Sequence, residues 1–367
     1  MVDDLKREPA TDAPANMQPG TEMSRGHASD RPEAATAAAP SPRRRLAAAS
    51  LVGLASGLVV WLLFLYKPDS TASDFDIVWL GARALLARRD PFEIVRSVWP
   101  WPLHYPVPTL LAVAPLAPLP RAIARVLFAA LTSGLLAYVV TRRAWWPLWM
   151  FASGAFVHAL RSVQWSPFLC AVALLPRARG FLVLKPSVGL ALAARVRNIR
   201  EFVWLAGGSA LLVAASFVVW PGWLPHWLAA IADAPHVIAP VMRPGGFLLL
   251  LALMRWRRAD ARMLAVLALV PQTAWLYEAL PLMLIPRSRR QLVWLVEGSL
   301  LTMIIQALIS YRLGAVEQPE RLAWIWPPMF LLVYLPALIM VLVRPNVADD
   351  DFVLLSTPAE SAGTGSR

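Results

Sequence analysis

The sequence predicts an all-α membrane protein, a polytopic transmembrane helix bundle with about twelve spans and an amphipathic helix in its first outer loop. Of the 367 residues, 58% are hydrophobic and the mean hydropathy is +0.54, well above the values of soluble globular domains. Only 16% are charged, and the net charge of +12 comes in short arginine clusters between apolar runs. That spacing indicates membrane topology rather than a nucleic-acid groove, so membrane lipids are expected partners and nucleic acid is not.

The two ends of the chain are predicted to be tails around a transmembrane domain at residues 46–345. Residues 1–45 are rich in Pro, Ala and small polar residues, which favours a disordered cytoplasmic tail, and residues 346–367 form a second tail. Three arginines, Arg43, Arg44 and Arg45, directly precede the first apolar run at 46–66. By the positive-inside rule the N-terminus is cytoplasmic, and the first outer loop, residues 67–104, lies on the outer face of a plasma (inner) membrane.

Eleven further apolar runs are long enough to span, or nearly so, given that about 20 apolar residues cross a bilayer and shorter runs can be tilted or broken. They lie at 105–119, 122–140, 145–160, 165–176, 180–194, 202–220, 247–254, 263–275, 276–285, 292–311 and 322–343. This count places Arg142, Arg143, Arg177 and Arg179 on the outer side, against the positive-inside rule. The number of spans between residues 106 and 179 is therefore open by two.

The first outer loop contains the predicted amphipathic helix. Its apolar residues recur at helical spacing, whereas Asp76 and Arg83 fall on another face; the apolar positions are Phe75, Val78, Trp79, Ala82, Leu85 and Leu86. Ser73 and Asp76 form a capping box, and Arg88 and Arg89 are expected in the last turn before "DPF" ends the helix. Asp74 is not needed for that box. It is free to face a substrate, although acids at helix N-termini also contribute about 0.3–1 kcal/mol of stability by themselves.

Three polar residues stand inside or next to apolar runs, and each has a structural and a functional interpretation. Lys185 beside Pro186 either snorkels to the interface or binds an anion. Glu278 either fixes helix packing or binds a substrate. Gln164 is more often an interhelical hydrogen-bonding group than a ligand contact. The isolated His158 and His226 have no partner at metal-ligand spacing, and a lone histidine is more often packed or interfacial than a metal ligand.

Several segments in a fixed order carry a resemblance to a known family. "DFDIVWLGARALLARRDPF" is followed by "YPVP", "PLAPLP", "VQWSP" and "LKPSVGLALAA". This order resembles glycosyltransferase family 87, integral-membrane enzymes of the GT-C superfamily that are similar to mannosyltransferases using polyprenyl-phosphate mannose. The resemblance covers about residues 46–290. The sequence departs from the family pattern at Val163, where the family has a glycine before the glutamine.

The resemblance implies an inverting hexosyltransferase that transfers a hexose from a polyprenyl phosphate to a lipid or glycan hydroxyl on the outer face. Mannose is the first candidate for this hexose. The resemblance implies no obligatory metal and no cofactor beyond this lipid-linked co-substrate. The family's catalytic base matches Asp74. A cation should meet the leaving phosphate, and the candidates are Lys185, Arg83, Arg89 and His104. Candidates for substrate contacts are Tyr105, Gln164, Trp165 and Glu278.

Two other functional classes remain open from the residues alone. A secondary transporter or lipid flippase would use Lys185 and Glu278 as part of an ion or substrate path. A non-catalytic membrane scaffold would have no need for an acid at position 74.

Overall fold

The computed structural model describes residues 39–66, 73–99, 102–233, 237–273, 275–313 and 318–347. The predicted tails lie outside these residues except at their inner ends. Regular structure in the described part is helical, with no strand, which confirms the all-α class. The α-helices are α1 (Pro42–Tyr66), α2 (Asp74–Leu86), α3 (Pro91–Val98), α4 (Val107–Val113), α5 (Arg121–Val140), α6 (Gly154–Arg161), α7 (Ser166–Ala173), α8 (Pro186–Ala193), α9 (Ile199–Val219), α10 (Trp223–Ala232), α11 (Ala259–Leu269), α12 (Arg289–Leu313), α13 (Gln318–Met329) and α14 (Leu335–Leu342).

Irregular helical segments connect many of these helices. They are 3₁₀ segments at Ala114–Leu116, Trp146–Ala152, Pro176–Leu184, Pro240–Met242, Gly246–Arg255 and Leu276–Leu284, and a π segment at Phe330–Tyr334. Five helices in the described part are long and apolar enough to cross a membrane: Pro42–Tyr66, Arg121–Val140, Ile199–Val219, Arg289–Arg312 and Ala323–Leu342. The other seven predicted spans correspond to shorter or irregular segments, so the count of twelve is not confirmed.

Helices α1 and α5 form an antiparallel pair, whereas counting the run at 105–119 as a crossing predicts that they run in the same direction. A Cβ on Gly53 would meet the backbone of Ala130, and one on Gly134 would meet the backbone of Ala49. The Arg45 guanidinium donates to the carbonyl oxygen of Tyr138 at 2.7 Å. The end of α5 that leads to Arg142 therefore lies beside Arg45.

The expectation that Arg142 and Arg143 lie opposite the N-terminal arginines is therefore wrong. The physical reason is the proline-rich run at 105–119. It forms only α4 and one 3₁₀ turn, about 16 Å of helix against a hydrocarbon core of about 30 Å. A segment of that length does not carry the chain across before α5 begins.

Other basic clusters gather at this same end of the bundle, which we call the arginine end. The Arg289 guanidinium lies 5.5 Å from the ring centroid of Trp149, in the 3₁₀ segment that follows α5. Arg344 donates to Gln291 Oε1 at 2.9 Å and to the carbonyl oxygen of Ile285 at 3.0 Å. The arginine end thus collects basic residues from both halves of the chain.

Helix α2 is fixed at the opposite end by its cap and by a buried ion pair. Ser73 and Asp76 form both hydrogen bonds of the predicted capping box. Asp76 is buried, contrary to its predicted place on a separate polar face, because Arg125 of α5 binds its carboxylate inside the protein. Phe75 packs on Phe128 of α5 with ring centroids 4.7 Å apart. These contacts set the position of Asp74.

The predicted C-terminus of this helix is wrong by several residues. Helix α2 ends at Leu86, which is 56% exposed, and Arg88 has a positive φ of 56° in the turn that follows. Asp90 does not end a helix but caps the next one: its carboxylate accepts from the backbone N–H of Phe92 and Glu93, with Pro91 at the first helical position. Asp followed by Pro is a start signal for a helix as well as a stop signal.

Candidate active site

Asp74 begins α2 with a carboxylate that the cap does not use. Its backbone N–H donates to the carbonyl oxygen of Ser162 at 3.2 Å, which ties α2 to the end of α6. The Tyr105 hydroxyl donates to Asp74 Oδ2 at 3.2 Å, and Lys185 Nζ lies 3.7 Å from the same oxygen. The Asp74 side chain is 37% exposed. A substrate hydroxyl can therefore approach a carboxylate that is already held in place.

Lys185 occupies the break between a 3₁₀ segment and α8. The following Pro186 disfavours a helical backbone at position 185, and Lys185 has φ −133° and ψ 88°. Its Nζ donates to Gln164 Oε1 at 2.8 Å and lies 5.4 Å and 5.1 Å from the ring centroids of Tyr105 and Tyr277. With 11% exposure, this ammonium is held among site residues rather than extended to the interface.

Gln164 reaches Lys185 from a strained turn. Val163 has φ 46°, the left-handed region that a β-branched residue rarely adopts, at a cost of about 1–3 kcal/mol. The backbone N–H of Gln164 donates to the carbonyl oxygen of Ala159 at 2.8 Å, and its Nε2 is buried without a partner among the described residues. Trp165 is 2% exposed and packs on Phe128, with the two ring centroids 4.9 Å apart. It is therefore a packing residue of the site wall.

Glu278 lies deeper in the bundle, beside two cations. Its Oε1 accepts from the backbone N–H of Thr273 at 3.3 Å, and its buried Oε2 has no hydrogen-bond partner in the described part of the chain. Lys185 and Arg243 both attract this carboxylate. Glu278 thus extends the cluster of polar site residues from Lys185 into the interior.

His104 lies near Asp74 but is a poor source of positive charge. Burial lowers the pKa of His104, and the attraction of Asp74 opposes this only in part. The imidazole is therefore neutral at pH 7 and can act on a phosphate only through a hydrogen bond.

Arg83 and Arg89 do not join the site. The Arg83 guanidinium lies 4.8 Å from the ring centroid of Trp79 and is exposed, and Arg89 follows the end of α2. Nine residues of helix separate Arg83 from Asp74, about 13–14 Å along the axis. Both arginines are therefore at the wrong end of α2 for a phosphate bound beside Asp74.

Two site residues were not predicted from the sequence. Tyr277 precedes Glu278 and contacts Lys185 through its ring; an aromatic residue next to an intramembrane acid was the available signal. Arg243 is 4% exposed, donates to the carbonyl oxygen of Gln272 at 2.5 Å and lies 5.3 Å from the ring centroid of Trp326. Its only sequence signal was a lone arginine between two apolar segments.

Metal-binding groups are not found at this site. His158 packs on Trp275 and Tyr277 with centroids 5.4 Å and 5.6 Å apart. No group of three or more His, Cys, Asp or Glu residues that could hold a metal ion occurs in the described ranges.

Comparison of the chain with protein-family models, with curated proteins and with solved structures gives no match. The functional argument therefore depends on the site itself: an accessible carboxylate, an ammonium and an amide held together at one end of a helical bundle.

Proposed function

We propose that this protein is a membrane glycosyltransferase that transfers a hexose from a polyprenyl-phosphate sugar to a lipid or glycan hydroxyl, with mannose as the first candidate for the hexose. The proposal includes a GT-C-type helix bundle in the plasma (inner) membrane, with the N-terminus in the cytoplasm and the site on the outer face. The observation that carries it is that Lys185 Nζ lies 3.7 Å from Oδ2 of Asp74, whose carboxylate is partly exposed.

The proposed reaction assigns one role to each of these two groups. Asp74 accepts the proton of the acceptor hydroxyl while the oxygen of that hydroxyl attacks the anomeric carbon of the donor sugar. The bond from that carbon to the phosphate oxygen breaks, and the phosphate leaves with the electron pair and without needing a proton. Lys185 stabilises the charge on the leaving phosphate. One attack from the side opposite the phosphate inverts the anomeric carbon.

The backbone at Val163 also supports the proposal. The resembled family has glycine at this place, and here the residue adopts a positive φ of 46°. A glycine would fit this conformation without strain. The turn that presents Gln164 therefore has the geometry that a Gly-Gln pair favours, although the side chain differs.

A second candidate is a transporter without transferase activity, and one observation favours it. Lys185 and Glu278 lie in or beside 3₁₀ segments within the bundle, and irregular backbone with intramembrane charges is typical of ion or substrate paths. This function would not require an accessible base at position 74.

The test compares wild type with Asp74→Asn in proteoliposomes, using a panel of radiolabelled polyprenyl-phosphate sugars and lipid extract as acceptor. We expect kcat to fall about 10²–10⁴-fold when the base is removed. Asp76→Asn is not a suitable control because it would leave the buried Arg125 guanidinium without its carboxylate. Glu297→Gln, an exposed carboxylate on α12, is the matched control.

Equal transfer by wild type and Asp74→Asn would refute the role of Asp74. A wild-type protein that is inert with every donor would refute the transferase proposal and favour the transporter.

A further inference from the structure

A small cavity of about 200 Å³ lies between α3 and α10, outside the cluster around Asp74. Phe92, Leu103 and Ala230 supply apolar wall, and Glu93, Arg96 and His226 supply polar groups. Its volume is below the 300–1,000 Å³ of pockets for drug-sized ligands. A ligand of one small ring suits this size.

Several polar groups of the cavity remain available to bind a ligand. Asp90 is fully engaged, because its carboxylate caps α3 and also lies 2.7 Å from His226 Nδ1. That contact orients the imidazole and leaves Nε2 for a ligand. Glu93 is exposed. Arg96 pairs with Asp233, but both side chains are more than half exposed, and such pairs contribute only about 0–1 kcal/mol.

The chemistry of these groups selects against charged ligands. Two carboxylates, Asp90 and Glu93, oppose an anion, whereas Arg96 opposes a cation. A neutral molecule with many hydroxyls can donate to Glu93 and accept from Arg96 at the same time. A pyranose ring also has a C–H face that suits the apolar wall formed by Phe92 and Leu103.

The cavity adjoins the candidate active site through a short piece of chain. Leu103 lines the cavity, the carbonyl oxygen of His104 accepts from Trp227 Nε1 at 2.9 Å, and Tyr105 donates to Asp74. Two residues of extended chain cover about 7 Å. The cavity and the candidate site are therefore connected along the chain.

We propose that this cavity is a carbohydrate subsite that binds a neutral hexopyranose unit of the acceptor. This inference rests on the proposed glycosyltransferase function for its role in catalysis, but the binding of sugar at the cavity can be measured separately. It narrows the acceptor class to a glycan or a glycolipid with at least one sugar already in place.

The experiment is a ligand-observed saturation-transfer NMR titration of the full-length protein in detergent with the methyl α-glycosides of mannose, glucose and galactose. We expect at least one of them to bind wild type and Asp74→Asn alike. Glu93→Ala should weaken that binding about tenfold or more, the factor for one hydrogen bond to a charged group. Ser97→Ala, on the exposed side of the same helix and outside the cavity, should bind as wild type does.

The outcomes separate the subsite from the reaction. Binding that is lost in Glu93→Ala and kept in Ser97→Ala supports the subsite even when no transferase activity is found. If wild type binds none of the three glycosides, or if Glu93→Ala and Ser97→Ala bind equally well, the subsite is refuted, and retained transferase activity would leave the proposed function intact.

Discussion

Lys185 is the residue at which the structural and the functional interpretations differ most. Its ammonium is held by Gln164 and Asp74 and flanked by two tyrosine rings. We expect Lys185→Met, which keeps the length and removes the charge, to lower kcat about 10²–10³-fold, as when one charge-stabilising donor is removed. Steady-state kinetics with the donor as varied substrate give the measurement.

A packing role for Lys185 would give a different result. Lys185→Met would then change the thermal stability in detergent while the folded fraction kept the wild-type kcat. Lys185→Arg serves as the partner variant because it retains the charge, and its kcat should lie between the other two.

At the scale of single residues, the sequence predicts which residues can do the chemistry better than it predicts which residues lie next to one another. Asp74, Tyr105, Gln164 and Lys185 were candidates from their residue types and segments, and the structure brings all four together. Arg83 was a candidate because it is basic and close in sequence, but helical geometry carries it away from Asp74. Proximity along one helix is set by its rise, whereas proximity between segments depends on packing that no local pattern reveals.

The α1–α5 pair is the element that positions the site, and its close approach can be tested by one methyl group. A Cβ on Gly53 would lie 2.7 Å from the carbonyl oxygen of Ala130, whereas one on Gly207 of α9 would meet nothing within 4 Å. We expect Gly53→Ala to destabilise the protein by about 1–3 kcal/mol through overpacking. Gly207→Ala should be neutral or slightly stabilising.

Thermal unfolding in detergent measures this difference. Helix α5 also carries Arg125 and Phe128, which hold α2, so Gly53→Ala should lower activity as well. An equal effect of the two substitutions would mean that α1 and α5 do not pack through Gly53.

Elements were predicted well where a long apolar run has clear ends and poorly where proline interrupts it. The run at 122–140 corresponds to α5 almost residue for residue. The run at 180–194 is instead divided at Lys185, because Pro186 starts a new helix after a 3₁₀ segment. Hydropathy records how apolar such a segment is but not where its direction changes.

For the whole molecule, the gathering of basic residues at the arginine end predicts the topology. Arg45, Arg289 and Arg344 lie at that end, and Arg142 lies there too, as the positive-inside rule requires of residues on one side of a membrane. Asp74 and α3 lie at the other end. The predicted membrane character agrees with the five long apolar helices, but the sequence placed Arg142 at the end of the bundle opposite Arg45 because it counted the short run at 105–119 as a crossing.

Cysteine labelling in intact cells tests this arrangement. Cys170 is the single native cysteine and is fully buried, so an impermeant maleimide reports on introduced cysteines. We expect Ser97→Cys on α3 to be labelled from outside, and Ser41→Cys before α1 and Ala144→Cys after α5 to be labelled only once the membrane is permeabilised. If Ala144→Cys reacted from outside together with Ser97→Cys, the run at 105–119 would have to cross the membrane. The antiparallel α1–α5 pair and the position of Asp74 that depends on it would then both be wrong.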